Sequence, residues 1–150
     1  MSELSINASL AAPSPELMGD IQEVERRIRE RKQIEIPTEH VIHGGMYART
    51  VRLDTGMAIV GVVVKVPTVL IVNGDALVLV GEKFERITGY HVLTGGARRK
   101  GVFVALQPTV LTMICASDAK TVEEAEAGFT DEADNLLSRH NENVVTITGA

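Results

Sequence analysis

The sequence predicts a mainly β protein whose central domain is a small jelly-roll barrel. Hydrophobic residues make up 45% of the 150-residue chain, which is enough for one domain core. Only 3% of the residues are aromatic and none is Trp. Val, Ile, Leu and Ala must therefore fill that core, and β-branched residues favour strands. Between residues 34 and 118, short apolar runs alternate with turn signals without an intervening helix, which is typical of jelly rolls and related barrels.

Residues 1–33 are predicted to form an arm followed by an amphipathic helix. The first 14 residues are mostly small or polar and lack periodicity, which favours an extended arm outside the core. Ser14 can cap the helix, and Pro15 suits its first turn. Apolar residues then recur at helical spacing, at Leu17, Ile21, Val24 and Ile28. This narrow stripe needs a partner surface, which is either the chain's own barrel or a helix of another subunit.

Residues 34–118 contain the β-rich runs that are predicted to form a cupin-sized barrel. The runs cover residues 36–42, 46–53, 58–66, 68–72, 76–80, 83–88, 91–94, 101–106 and 109–117. Two of the breaks between them are predicted to be hairpin turns, at Asn73-Gly74 and at Gly81-Glu82. Asn-Gly is the stronger signal, because both residues tolerate the positive φ of a tight hairpin.

Residues 119–150 are predicted to form a short helical tail that ends in a strand. Thr121 and Glu124 have the spacing of a capping box at the start of an acidic helix. The carboxylates of this helix are predicted to form a solvated face, at Glu123, Glu124 and Glu126. The final "NVVTITGA" alternates as a strand would, with Val145 and Ile147 on one face. Such a strand can return to an open edge of its own sheet or pair with a neighbouring subunit.

The composition argues against several classes of function. A formal net charge of -5 is opposite in sign to a nucleic-acid-binding surface. Cys115 is the single cysteine, so neither a disulfide framework nor a paired-cysteine zinc site is expected. No secretory signal is visible, and the longest apolar run, residues 58–72, is interrupted by Lys65 and Pro67. We therefore expect a soluble protein made in the cytoplasm, without direct nucleic-acid or membrane partners.

The stretch "IEIPTEHVIHGGMYARTVRLDTGMAIVG", residues 34–61, leads into the barrel. Together with the preceding helix and the acidic tail, it resembles the small cupin-like proteins found in bacteriophage and prophage genomes. The resemblance spans residues 16–137 and is most specific from "GGMYAR" to Gly56 and Gly61. It implies a cupin-like jelly-roll barrel in a virion protein that is made in the bacterial host cytoplasm.

Cupins commonly hold a metal through His residues in two motifs, and this chain departs from both. On the first motif, Val62 and Val64 stand at the His-x-His positions and Gly74 at the closing glycine. On the second, "LTGGARRKG" places Gly96 at the turn and Arg99 at or near the histidine. Valine and a cationic arginine cannot replace the imidazole or carboxylate ligands of a divalent metal. The resemblance therefore implies a packed scaffold without metal or other cofactor, whose function lies on its surface.

The other candidate residues form no catalytic constellation. His40 and His43 lie three residues apart, and on a strand such side chains point to opposite faces. His91 is predicted to lie on a strand surface or the barrel rim. The loop that carries Arg98 and Arg99 is either a solvated hairpin tip or a site for an acidic partner surface.

These observations lead to one principal hypothesis. The chain is expected to be a non-enzymatic structural or accessory protein of a bacteriophage particle, either a capsid decoration protein or a head-tail (neck) component. It is expected to form a dimer or trimer and to bind phage capsid or tail proteins. The predicted interface residues are Leu17, Ile21, Val24, Ile28, Arg98, Arg99, Val145 and Ile147.

Two alternatives belong to other classes. One is an atypical cupin enzyme or small-ligand-binding protein that uses His40, His43 or His91. The other is a carbohydrate-binding jelly roll, which the scarcity of aromatic residues disfavours because sugar sites commonly use aromatic faces.

Overall fold

The computed structural model describes residues 9–10, 14–30, 35–139 and 143–148. Most of the described chain is β-strand, as predicted. The strands are β1 Ser9–Leu10, β2 Thr38–His43, β3 Met46–Leu53, β4 Ala58–Val64, β5 Thr68–Val80, β6 Lys83–Gly95, β7 Arg99–Ala105, β8 Thr109–Ala116 and β9 Asn143–Ile147. The helices are α1 Pro15–Arg29 and α2 Val122–Phe129, and the 3-10 turns are Ala133–Asn135 and Leu137–Arg139.

The strands form a mixed sheet that curls into a barrel-like structure, in agreement with the predicted jelly roll. Its main path runs β1-β6-β5-β8-β3-β2-β9, while β4 pairs with β7, and β7 pairs with the C-terminal half of β5. We call the part around β9-β2-β3-β8 the first layer and the part around β7-β4 the second layer. Because β5 and β6 are long, they take part in both. Apolar side chains fill the space between the layers, including Val72, Val78, Leu93 and Leu111.

The predicted hairpin at Asn73-Gly74 is wrong. These residues lie inside β5, where Gly74 pairs with Gly89 of β6. Both glycines have positive φ, and a Cβ on Gly74 would lie 2.5 Å from Thr109 Oγ1 and 2.6 Å from the Pro108 carbonyl oxygen. This pair of glycines marks the corner at which both strands pass from one layer to the other. The hairpin predicted at Gly81-Glu82 is confirmed, since it connects β5 to β6.

Helix α1 packs on its own barrel. The Ser14 hydroxyl accepts a hydrogen bond of 3.2 Å from the Leu17 amide, so the predicted cap is confirmed. Ile21 is only 5% exposed and packs with Leu79 and Val102. The apolar stripe is predicted to pack either on the chain's own barrel or on a helix of another subunit. At Ile21 it packs on the barrel. The side chains of Val24 and Ile28 lie outside the described part of the structure.

The prediction that the N-terminal arm stays outside the core is wrong at Leu10. Strand β1 lies parallel to the end of β6, and the Leu10 carbonyl accepts a hydrogen bond of 3.1 Å from the Gly96 amide. Leu10 is buried in the main core. The open edge of β6 supplies backbone partners to the arm, which makes burial of an apolar residue there favourable.

The tail covers the free edge of β4. The Lys65 amide donates to the Phe129 carbonyl at 2.8 Å, and the Thr130 hydroxyl donates to the Val63 carbonyl at 2.7 Å. The predicted N-cap of α2 is confirmed, because Thr121 Oγ1 accepts from the Glu124 amide at 3.2 Å. Strand β9 then returns to its own sheet, parallel to β2. The tail thus closes the open side of the second layer and extends the first layer by one strand.

Candidate functional site

A cavity of about 140 Å³ lies between the two layers. Its lining is mostly apolar, with contributions from both layers and from the tail. The polar lining residues are Thr38, Arg49, Arg99 and Asn135. Of the lining residues, Asn135 in the first 3-10 turn is the exposed one. The cavity therefore opens to solvent beside the tail. The barrel thus has a packed apolar core with a cavity beside it.

The cavity contains the positions that the cupin-like pattern singled out. Val62 and Val64 on β4 line it, as does Arg99 on β7, which pairs directly with Val64. These side chains offer no lone-pair donor that suits a divalent metal. Within the described ranges, no three His, Cys, Asp or Glu side chains are placed to hold a metal ion.

Arg99 is buried, which contradicts its predicted place in a surface interface. It is 5% exposed, and its Nη2 donates a hydrogen bond to the Thr68 hydroxyl. The guanidinium packs over Gly95, where a Cβ would lie 2.5 Å from Nη2 and 2.6 Å from Cζ. Among the described residues, no carboxylate pairs with Arg99 and its Nε has no hydrogen-bond acceptor. Burial lowers the pKa of this guanidinium, because desolvation disfavours its charged form.

The neighbouring Arg98 is different. It is exposed in the loop before β7 and has a φ of 62°. Strand β7 begins only at Arg99, so Arg98 belongs to the loop while Arg99 is held by the pairing of β7 with β4. Arg98 therefore lies where the sequence placed it, at a solvated loop.

Arg49 shares the cavity but has a counter-charge. Its Nη1 lies 3.4 Å from Glu126 Oε2, and its Cζ lies 5.2 Å from the centre of the Phe129 ring. Glu126 also accepts a 2.7 Å hydrogen bond from Arg139 Nε and one from the Ser138 hydroxyl. The prediction that Glu126 is solvated is wrong, because its side chain is only 1% exposed. Two arginines from separate elements compensate its burial.

His40 belongs to a buried polar network that joins the tail to the sheet. Its Nδ1 lies 2.7 Å from the Tyr47 hydroxyl, and its Nε2 lies 2.7 Å from Asn143 Oδ1 on β9. The Asn143 amide nitrogen donates to the Ser138 carbonyl, so Oδ1 is the acceptor and His40 Nε2 carries the proton. Nδ1 then accepts from Tyr47. Burial lowers the pKa of His40 and raises the pKa of Tyr47, so both are neutral near pH 7.

The histidines of the alternative hypothesis do not share a site. His43 is exposed on the opposite face of β2 from His40, with Nδ1 2.6 Å from Thr148 Oγ1. His91 on β6 contacts the Thr88 carbonyl at 2.8 Å. Strands β2 and β6 are four places apart in the main path, or roughly 19 Å at the usual strand spacing. His40 and His91 therefore lie on strands that are not neighbours in the sheet, and their hydrogen-bond partners differ.

A second candidate surface is the outward face of the first layer. The registers of β9, β2, β3, β8, β5 and β6 align rows of apolar and threonine side chains across it. We call this surface the Val-Thr face, and it consists of Val41, Ala48, Thr50, Val69, Ile71, Val92, Thr94, Thr112, Ile114, Val144 and Thr146. Val41, Val69, Val92 and Val144 are 37–61% exposed.

Sequence reasoning missed the two polar groups that define the cavity. Thr38 Oγ1 is buried and has no partner among the described residues. Nothing in its sequence neighbourhood signals this. Arg99 carried a signal, because the cupin-like pattern placed it at a ligand position inside the barrel while the basic loop suggested a surface residue.

The sequence matches no protein-family model, and no curated protein is significantly similar to it. In the described ranges, neither helix has both the length and the apolar composition that a membrane span requires.

Proposed function

We propose that this protein is a non-enzymatic structural or accessory component of a bacteriophage particle, and that copies of it associate through the Val-Thr face. The apolar exposure of that face is the observation that supports self-association. Six strands at the usual spacing make it roughly 24 Å wide, and two rows of side chains make it about 14 Å deep, which is about 340 Å² in extent. The largest exposed apolar patch of a soluble protein has about this size and is often an interaction site. The resemblance to cupin-like phage proteins supports the assignment to a particle.

A second copy of the chain is the occupant that fits the Val-Thr face. A two-fold interface places the same surface against itself, so a net charge there would repel. The registers place Glu39 within this face, between Val144 and Thr50, and Arg52 at its margin. These two residues, Glu39 and Arg52, form an ion pair, so their charges cancel. The hydroxyls of Thr50 and Thr112 bond each other at 2.8 Å, so covering them leaves neither unpaired. A second copy of the face therefore meets no net repulsion there.

Strand β9 offers a place for a different virion protein. One of its edges pairs with β2, and no described strand pairs with the other. Val145 and Ile147 are 47% and 50% exposed. An extended segment of a partner can add to such an edge through main-chain hydrogen bonds, with its side chains against these two residues. The sequence assigns partner binding to this strand and to the helix stripe, and the barrel covers the stripe at Ile21.

Light scattering after size-exclusion chromatography tests self-association. The wild type is expected to be a dimer or trimer, and Val41→Lys and Val69→Lys are expected to be monomers, because a lysine in each copy brings like charges together. Phe84→Lys is the matched control, since Phe84 is an exposed apolar residue beyond the corner of β6 and off the Val-Thr face. A monomeric wild type, or an oligomer that both lysine variants leave intact, would contradict the proposal.

Quantitative mass spectrometry of purified particles from the source genome tests the virion assignment separately. Copies close in number to the major capsid protein would indicate a decoration protein, and a small fixed number would indicate a neck component. Particles that lack the chain, although infected cells contain it, would rule out the structural role while leaving the result on self-association intact.

A further inference from the structure

The cavity between the layers contains a buried positive charge that the described part of the chain does not neutralise. Arg49 has Glu126 at 3.4 Å, whereas Arg99 has no carboxylate partner among the described residues. A buried ion is strongly unfavourable unless it is paired. An anionic ligand would provide the missing counter-charge.

The surroundings of Arg99 leave one of its donors without an acceptor in the described part of the chain. Gly95 leaves room for the guanidinium, and Thr68 accepts from Nη2. Nε remains buried without an acceptor. Carboxylates bind arginine through adjacent N–H groups, with charge-assisted hydrogen bonds that are stronger than neutral ones. Nε–H is therefore a donor of a charged group that lacks an acceptor among the described residues.

A second buried group in the same cavity also lacks a partner. Thr38 Oγ1 on β2 is inaccessible to solvent and makes no hydrogen bond to the described residues. Buried hydroxyls are normally hydrogen-bonded, and an exception requires an explanation. A threonine hydroxyl can donate to a carboxylate. Thr38 on the first layer is therefore, like Arg99 on the second, a polar residue of the cavity lining with an unpaired group among the described residues.

The remaining lining determines the rest of the ligand. Val62, Leu70 and Phe103 are buried apolar residues at the cavity wall. Inorganic phosphate would leave several oxygens unsatisfied against such a wall. The volume of about 140 Å³ is close to that of an apolar cavity that holds benzene. The cavity thus suits a compact organic molecule with one anionic end.

We infer that the barrel binds a small organic acid, with its carboxylate on Arg99 and its apolar part among Val62, Leu70 and Phe103. The Thr38 hydroxyl is the second donor to the carboxylate. The ligand enters beside Asn135, the exposed lining residue in the tail. This inference is independent of the Val-Thr face and of any role in a phage particle.

Isothermal titration calorimetry on the full chain tests the inference with benzoate and isobutyrate as probes. Benzamide and isobutyramide are the neutral controls of the same shape, and inorganic phosphate is the anion without an apolar part. At least one carboxylate is expected to bind the wild type with one-site stoichiometry. Its amide and phosphate are expected to bind at least about tenfold more weakly, because they lack either the charge or the apolar body.

Two arginine variants locate the bound anion. Arg99→Met is expected to weaken carboxylate binding by about tenfold or more, whereas Arg98→Met, the same change at the adjacent exposed residue, is expected to leave it unchanged. Thermal unfolding of both variants verifies that they are folded. Thr38→Val should weaken binding by a smaller factor. Failure of both carboxylates to bind, equal binding by Arg99→Met, equal binding of the amides, or binding of phosphate alone would each overturn the inference.

Discussion

Gly95 and Arg99 occupy adjoining space in the barrel wall: the guanidinium of Arg99 lies where a side chain on residue 95 would have to be. A Cβ on Gly95 would lie 2.5 Å from Nη2 and 2.6 Å from Cζ of the arginine. Gly95 has no positive φ, so its backbone would accept other residues. The absence of a side chain at position 95 is therefore a packing requirement that Arg99 imposes.

Gly95→Ala is expected to lower the free energy of unfolding by about 1–3 kcal/mol, the usual effect of overpacking. In the Arg99→Met background the same substitution should have a smaller effect, since a flexible thioether can move aside. Urea unfolding of the four proteins of this double-mutant cycle measures the difference. Equal effects of Gly95→Ala in the two backgrounds would show that the contact with Arg99 is not the cause.

Arg99→Met is expected to stabilise the protein by on the order of 1 kcal/mol in a buffer free of organic anions, because it removes a buried, unpaired charge. Arg49→Met is the matched comparison. It should destabilise the protein, because it leaves the buried Glu126 with one arginine fewer. Urea unfolding curves of both variants test the contrast. Destabilisation of similar size by both would assign Arg99 a structural role.

Glu126→Gln is expected to reduce the free energy of unfolding by about 3 kcal/mol, because Arg49 and Arg139 lose their shared counter-charge in a buried position. Glu123→Gln, at an exposed position of the same helix, should change it by no more than about 0.5 kcal/mol. Chemical unfolding provides the comparison. If the two substitutions had similar effects, the burial of Glu126 would not contribute to stability.

Acid is expected to destabilise the fold through His40. Burial lowers its pKa below the ordinary value of 6.5, so the unfolded chain binds more protons than the folded one as the pH falls past that value. The contribution of His40 is therefore fully present above about pH 6.5 and is lost as the pH falls toward the folded pKa. Protonation also removes the acceptor that Tyr47 uses.

Unfolding free energies measured across this pH range test the assignment to His40. His40→Gln should flatten the pH dependence, whereas His43→Gln, at an exposed position of the same strand, should retain the slope of the wild type. A slope that both variants keep would assign the acid sensitivity to other groups, such as the carboxylates.

The class of fold and most strand positions follow from local pattern, and the exceptions involve contacts between distant residues. Asn73-Gly74 has the composition of a hairpin, but the approach of Pro108 and Thr109 makes it a corner inside a strand. Burial of Glu126 depends on Arg49, 77 positions away along the chain. Helical periodicity cannot reveal such a partner. The orientation of Arg99 was likewise decided by the register of β7 against β4, which local sequence does not specify.

The passage of β5 and β6 through both layers affects how the barrel comes apart. These strands pair along 13 residues each, so each layer contains half of the same ribbon. If one layer opened, the β5-β6 hydrogen bonds that continue into the other layer would also be disturbed. The barrel should therefore unfold in a single cooperative step, and the central amides of β5 should exchange with solvent only through that step.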